Sequence, residues 1–98
     1  MDITVQELKR RLDAGEELIV IDVREPHEYE EYNIGARLIP LGDIPVQVAS
    51  LAGKEEEEII IHCRSGKRSA AAQRFLREQG FTKVRNLEGG MLAYQQLG

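Results

Sequence analysis

The run Ile59-Ile60-Ile61 does most to limit what this chain can become. Three β-branched residues in a row leave no polar face, as a strand covered on both sides of a parallel sheet requires. The residues after it narrow the choice further. His62 to Arg68 form a short turn, and Ser69 is the expected N-cap of a helix built from strong helix formers, Ala70 to Leu76, and running to Gln79. A strand, a tight turn and a helix N-terminus make an anion cradle, because unpaired backbone N–H groups point into the turn. This turn carries the only cysteine, Cys63, and three cations, Arg64, Lys67 and Arg68. A helix dipole and nearby cations favour a thiolate, so Cys63 is the candidate nucleophile.

The rest of the chain is read around that unit. Leu18-Ile19-Val20-Ile21-Asp22 is a second apolar run, expected to pair beside the first, with Asp22 at its C-terminal end. Ligands of open parallel sheets bind beyond those ends, which predicts that Asp22 and Cys63 face one crevice. Thr4-Val5-Gln6-Glu7 has the spacing of a capping box and opens a helix to about Ala14, stopped by Gly15. Pro26 suits the first turn of a short helix over Glu25 to Tyr32. Leu38-Ile39 reads as a short edge strand before Pro40. A helix is predicted from Asp43 or Gly42 to near Gly53. Thr82 to Asn86 is the last strand, with Val84 its one firmly buried residue, and Gly89-Gly90 opens a terminal helix. Strands alternating with helices over short connections mean an α/β fold, a mostly parallel sheet with helices on both faces.

Ninety-eight residues suffice for one domain, 1–98, with a core that needs no disulfide or metal. One cysteine and two histidines make a zinc cluster a poor fit. A net charge of −4 argues against nucleic acid as a partner, and no apolar run approaches the length of a membrane span. Met1 leads into a polar helix rather than a signal peptide, so a cytoplasmic location is expected. The Glu55–Glu58 run reads as a solvated loop or strand edge. An acidic chain with one basic pocket suits a small anion.

Four motifs together resemble a family. They are Asp22-Val23-Arg24-Glu25 with Glu28-Tyr29; Gly35-Ala36 leading to Ile39-Pro40; Cys63-Arg64-Ser65-Gly66-Lys67-Arg68-Ser69; and Leu87-Glu88-Gly89-Gly90 followed by Tyr94. Over nearly its full length the chain resembles a single-domain rhodanese, a sulfurtransferase. Tyr94 stands where the family usually has Trp. Tyr32-Asn33-Ile34 runs directly into Gly35-Ala36, a shortened form similar to the rhodanese domains attached to ubiquitin-like-protein activating enzymes. The resemblance implies the rhodanese fold, with a central five-stranded sheet. It also implies sulfane-sulfur transfer through a persulfide on Cys63, from thiosulfate, a persulfide or a polysulfide to cyanide, a thiol or a carrier protein. The implied partners are a small anionic sulfur donor, a sulfur-acceptor protein or a cysteine desulfurase, with no metal and no organic cofactor.

That chemistry needs a thiolate at neutral pH, donors to hold an anionic persulfide, and cations to receive an anionic donor. The backbone from Arg64 to Ser69 offers the donors, with Ser65 and Gly66 shaping the turn, Gly66 through its left-handed freedom. Arg64, Lys67 and Arg68 offer the charge. Asp22 and Arg24 are read as support, Arg24 pairing with Glu28 or Asp22 as a clamp. A lone cysteine is more often a small buried hydrophobe; its place among cations, between strand and helix, argues for function. His62, on the other side of its strand from Cys63, is read as a hydrogen-bonded core residue. Two readings compete. A non-enzymatic sulfur-carrier or regulatory module keeps the fold with less chemistry. A cysteine phosphatase needs five residues between Cys and Arg, whereas here only four separate Cys63 from Arg68 and Ser69 occupies the required position.

Overall fold

The computed structural model describes residues 1–97. β1 (Ile19–Asp22), β2 (Arg37–Leu38), β3 (Glu58–His62) and β4 (Lys83–Asn86) form one sheet in the order β2-β1-β3-β4, with each neighbouring pair parallel. The sheet has four strands, where five were expected. What remains of a fifth is one parallel bridge from Ile3 to Leu87: the Ile3 N–H donates to the Asn86 carbonyl at 3.0 Å and its carbonyl accepts from Glu88 at 2.9 Å. That strand cannot lengthen, because Thr4 is already the cap of α1 (Val5–Asp13).

Side chains alternate along β1 and β3 and divide the core in two. Ile21, Val23, Ile59, Ile61 and Cys63 pack with Ile44 of α3 (Ile44–Gln47) and with Ala72 and Leu76 of α4 (Lys67–Glu78). Ile60 points the other way, against Val5 and Leu8 of α1 and the partly buried Ala93 and Tyr94 of α5 (Gly90–Gln95). Helices therefore cover both faces, and Ile59, Ile60 and Ile61 are fully buried, as their sequence demands. Among the described residues no helix is long and apolar enough to cross a membrane.

Local differences have local causes. The helix predicted from Asp43 to near Gly53 is broken: α3 is a single α-turn between 3-10 turns at Leu41–Asp43 and Val48–Leu51. Pro45 removes one amide, and β-branched Val46 and Val48 weaken the next turn. The Thr4 hydroxyl accepts from the Glu7 N–H at 3.1 Å, but the Glu7 carboxylate turns to Arg85 at 3.2 Å instead of closing the box. Glu58, read as part of a solvated run, is half-buried at the start of β3. Arg11 of α1 holds its two oxygens at 2.9 and 2.6 Å, and Arg85 of β4 donates to one of them at 2.8 Å.

The fold aims α5 at the cysteine turn. The Met91 N–H donates to the Cys63 carbonyl at 2.8 Å and the Leu92 N–H to the Arg64 carbonyl at 3.0 Å. Gly90 makes the approach possible: its φ is +59°, and a Cβ there would sit 2.6 Å from both carbonyl oxygens. Gly90→Ala is expected to cost about 2 to 4 kcal/mol, from overpacking plus left-handed strain. Gly53→Ala, at φ +92° with open space around it, should cost only about 1 to 2 kcal/mol. Urea melts of the two variants check the difference.

Arg11, then Arg85, hold the Glu58 carboxyl down to about 2 against the opposing effect of burial. A depressed folded value contributes stability that is complete above the ordinary value of 4.5 and is lost as pH falls toward about 2. Glu58→Gln is expected to cost about 1 to 3 kcal/mol at neutral pH. It should also flatten the fall of melting temperature across that acid window, measured by thermal melts.

Candidate active site

The turn after β3 is shaped by Gly66, whose φ of 109° lies in the left-handed region and caps α4. The helix therefore starts at Lys67, and Ser69 is its third residue rather than the N-cap expected of it. The correction has a simple cause: glycine ends the turn before serine could. The displaced Ser69 side chain is free for another task. It is fully buried beside the cysteine, with Oγ 3.3 Å from Cys63 Sγ.

Cys63 is 1% exposed, and its sulfur sits in a nest of donors. The Gly66 N–H donates to Sγ at 3.0 Å. Burial opposes ionisation of the thiol. It is outweighed by hydrogen bonding to the anion, from the Ser69 hydroxyl first and then the amides of Ser69, Gly66 and Ser65, which together hold the thiol below its ordinary value. Of the backbone donors expected from Arg64 to Ser69, Gly66 makes the hydrogen bond to the sulfur, and the amides of Ser65 and Ser69 add to the field that favours its anion. A nest of this kind stabilises a negative charge on one sulfur or on a short anion attached to it.

The three cations divide. Arg64 and Lys67 are exposed on the rim of the turn, free of the sulfur nest. Arg68 turns instead to Glu28 of α2 (Pro26–Glu31), with bonds of 2.7 and 3.0 Å. Arg68, then the Glu25 amide, keep the Glu28 carboxyl at about 2 despite its burial. Arg68 thus fastens the start of α4 to α2, and it also senses the charge of Cys63.

Asp22 does not join Cys63 in one crevice. It is paired in register with His62, so the two side chains share the sheet face opposite the cysteine. Asp22 is fully buried and gripped by Arg24, whose Nε and Nη2 donate at 3.0 and 2.8 Å. The Arg24 Nη2 also reaches the Tyr32 carbonyl at 2.7 Å. Of the two pairings open to Arg24, the structure makes the one with Asp22. His62 is a core residue as expected, yet the hydrogen bond expected of it is absent among the described residues. Both ring nitrogens lack a partner, and Nε2 stands 3.6 Å from Asp22 Oδ2. Burial lowers its pKa more than Asp22 raises it, so the ring is held neutral.

One polar residue of the site was missed. Asn86, at the end of β4, is 8% exposed and accepts from the Ser69 hydroxyl at 2.6 Å. Val84 alone was expected to be buried in that strand, because a lone asparagine after alternating polar residues carries no signal of burial. A cleft of about 130 Å3 adjoins the turn, lined by Arg24, Glu28, Tyr32, Arg64 and Met91 among others. Two larger grooves, about 470 and 430 Å3, run beside Leu12 and Ile34 and include no residue of the turn. Cavity size does not single out the cysteine turn; its hydrogen-bond donors do.

Similarity to known proteins agrees with this geometry. The profile of the rhodanese-like domain matches residues 4–97. YrkF of Bacillus subtilis, provisionally named a sulfur carrier protein, is 42% identical over 91 residues, which span 92% of this chain but 48% of YrkF. YtwF of the same organism, provisionally named a sulfurtransferase, is 42% identical over 95 residues, spanning 96% of this chain and 89% of YtwF. The crystal structure of a rhodanese-like domain protein from Staphylococcus aureus superposes with a TM-score of 0.84 at 35% identity, over 96% of this chain and 91% of that one. The profile match, a relative aligned over nearly its whole length and a solved structure all point the same way, and the chain belongs to the rhodanese-like domain family.

Proposed function

We propose that this protein is a sulfurtransferase, acting on thiosulfate or a persulfide or polysulfide donor, with Cys63 as its nucleophile. The observation that carries this reading is the donor nest around Cys63 Sγ, which lowers the thiol pKa although the side chain is buried. The Cys63 thiolate attacks the outer sulfur of thiosulfate. A new S–S bond forms, the old one breaks, and sulfite leaves with the bonding pair. The amides of Ser65, Gly66 and Ser69 then hold the terminal persulfide anion. A nucleophilic acceptor such as cyanide, a thiol or a carrier protein takes the outer sulfur and returns Cys63 to thiolate. The transfer is split into two displacements, neither needing a separate general base or a metal.

Arg64 and Lys67 are the residues proposed to receive an anionic donor, being charged, exposed and at the rim. Arg68 serves by closing the turn through Glu28, and Asp22 with Arg24 by bracing the end of β1. A second reading is favoured by the likeness to YrkF: a carrier that accepts its sulfur from a protein such as a cysteine desulfurase. Both readings place the work in the cytoplasm and use the same persulfide. The phosphatase alternative is disfavoured, since Arg68 is committed to Glu28 and the turn is one residue short.

Intact-protein mass spectrometry after incubation with thiosulfate tests the reading. A gain of one sulfur atom, removed by cyanide and absent in Cys63→Ser, is expected. No gain with either thiosulfate or polysulfide would overturn the small-molecule reading, and loading by a cysteine desulfurase alone would favour the carrier.

Arg64→Ala and Lys67→Ala are each expected to raise KM for thiosulfate by about three- to tenfold with kcat little changed, as loss of uniform binding does. Steady-state kinetics check this, and an uncharged persulfide donor should show a much smaller effect.

A further inference from the structure

Four polar groups behind the sulfur share too few hydrogens. Ser69 Oγ lies 2.6 Å from Asn86 Oδ1, 3.2 Å from the Gly66 carbonyl and 3.3 Å from Cys63 Sγ. A hydroxyl has one hydrogen to donate. The direction it takes is decided by the Asn86 amide, whose Nδ2 donates to the Gly66 carbonyl at 3.1 Å. That carbonyl can only accept, so the amide nitrogen must face it and Oδ1 must face Ser69. Oδ1 also only accepts, and 2.6 Å is the length of a strong O–H···O bond. The hydrogen of Ser69 therefore points to Asn86, away from the sulfur.

A neutral Cys63 tolerates this arrangement, because its own S–H can donate to Ser69 Oγ. A thiolate has no hydrogen to give and needs the one Ser69 has committed elsewhere. The Ser69 hydroxyl is also the strongest of the hydrogen-bonding groups that favour the Cys63 anion. We propose that Asn86 is a positioning residue that competes with Cys63 for the single hydrogen of Ser69. It draws that hydrogen away while the sulfur is a neutral thiol and yields it when the sulfur becomes an anion. Asn86 thereby sets how readily the sulfur ionises, without touching it. The proposal rests on Cys63 being the reacting thiol but not on sulfur transfer itself.

The surroundings allow a clean test. Charge near the sulfur comes from Arg68 of α4, paired with Glu28 of α2, and from the exposed Arg64 and Lys67. Asp2 bonds the backbone N–H of Asn86 at 3.1 Å and the side chain of Gln73 at 2.9 Å. Substituting the Asn86 side chain leaves all of these charges in place; besides the 2.6 Å acceptor it removes the Nδ2 donor from the Gly66 carbonyl, which stands farther from Ser69 Oγ at 3.2 Å.

The measurement is the pH dependence of Cys63 alkylation by iodoacetamide, with thermal melts as a check of folding. Asn86→Leu is expected to lower the pH midpoint by about half to one unit, a three- to tenfold larger thiolate fraction well below the midpoint. Ser69→Ala is expected to raise the midpoint, and Asn86→Leu added to Ser69→Ala to move it no further. Mere loosening of the site would shift the midpoint the other way, toward an ordinary thiol. An unchanged or raised midpoint in folded Asn86→Leu would overturn the proposal, as would an equal shift in the Ser69→Ala background. If Asn86→Leu does not fold, Asn86→Ala removes the same acceptor with less bulk and is read identically. Alkylation needs no sulfur donor, so a failure to load persulfide is scored separately from these outcomes.

Discussion

The two hydrogen bonds from α5 to the carbonyls of Cys63 and Arg64 are the constraint on which the site depends. A turn can point its amides inward only if its carbonyls are satisfied outward, since a buried unpaired carbonyl is costly. The first amides of α5 are unpaired by the nature of a helix start and supply that satisfaction. Gly90 lets the two backbones approach within the distance a side chain would occupy. The sulfur nest is thus completed from outside, by a helix at the far end of the chain.

The same economy appears around the turn. Arg68 and Glu28 fasten α4 to α2, while Gln73 and Asp2 tie α4 and β4 to the N-terminal segment. Arg11, Glu58, Arg85 and Glu7 join α1, β3 and β4. At the turn Glu28 takes up Arg68, which leaves Arg64 and Lys67 as exposed cations beside the sulfur. An acidic protein presents a local positive rim without becoming basic overall. Glycine at the cap of α4, rather than serine, is what releases Ser69 to face the thiol.

Much of this was legible in advance where one residue's chemistry forces one structure. Ile59 to Ile61 could only be a covered strand, and the turn that carries Cys63 could only follow it, ahead of a helix. The failures have a common source. Ser69 looked like a cap because its local preference is strong, but Gly66 ended the turn earlier. Asp22 looked like a neighbour of Cys63 because both close parallel strands; register and alternation turned it to the opposite face with His62. Asn86 gave no sign at all, since its burial comes from contacts with Ser69 and Gly66, residues distant along the chain.

The sequence by itself determined the α/β class, the placement of the cysteine turn and the motifs that mark the family. Hydrophobic runs, glycine positions and the order of strands and helices are local properties, and local physics reads them. Tertiary structure alone decided which cation is bound and which is free. It alone reduced the expected fifth strand to a single bridge, and it alone gathered Ser69, Asn86 and Gly66 behind the sulfur. Those outcomes depend on distances between residues far apart in the chain. Hydrogen bonds and ion pairs weaken steeply with distance and misalignment, so only the packed fold can select among the partners that composition permits.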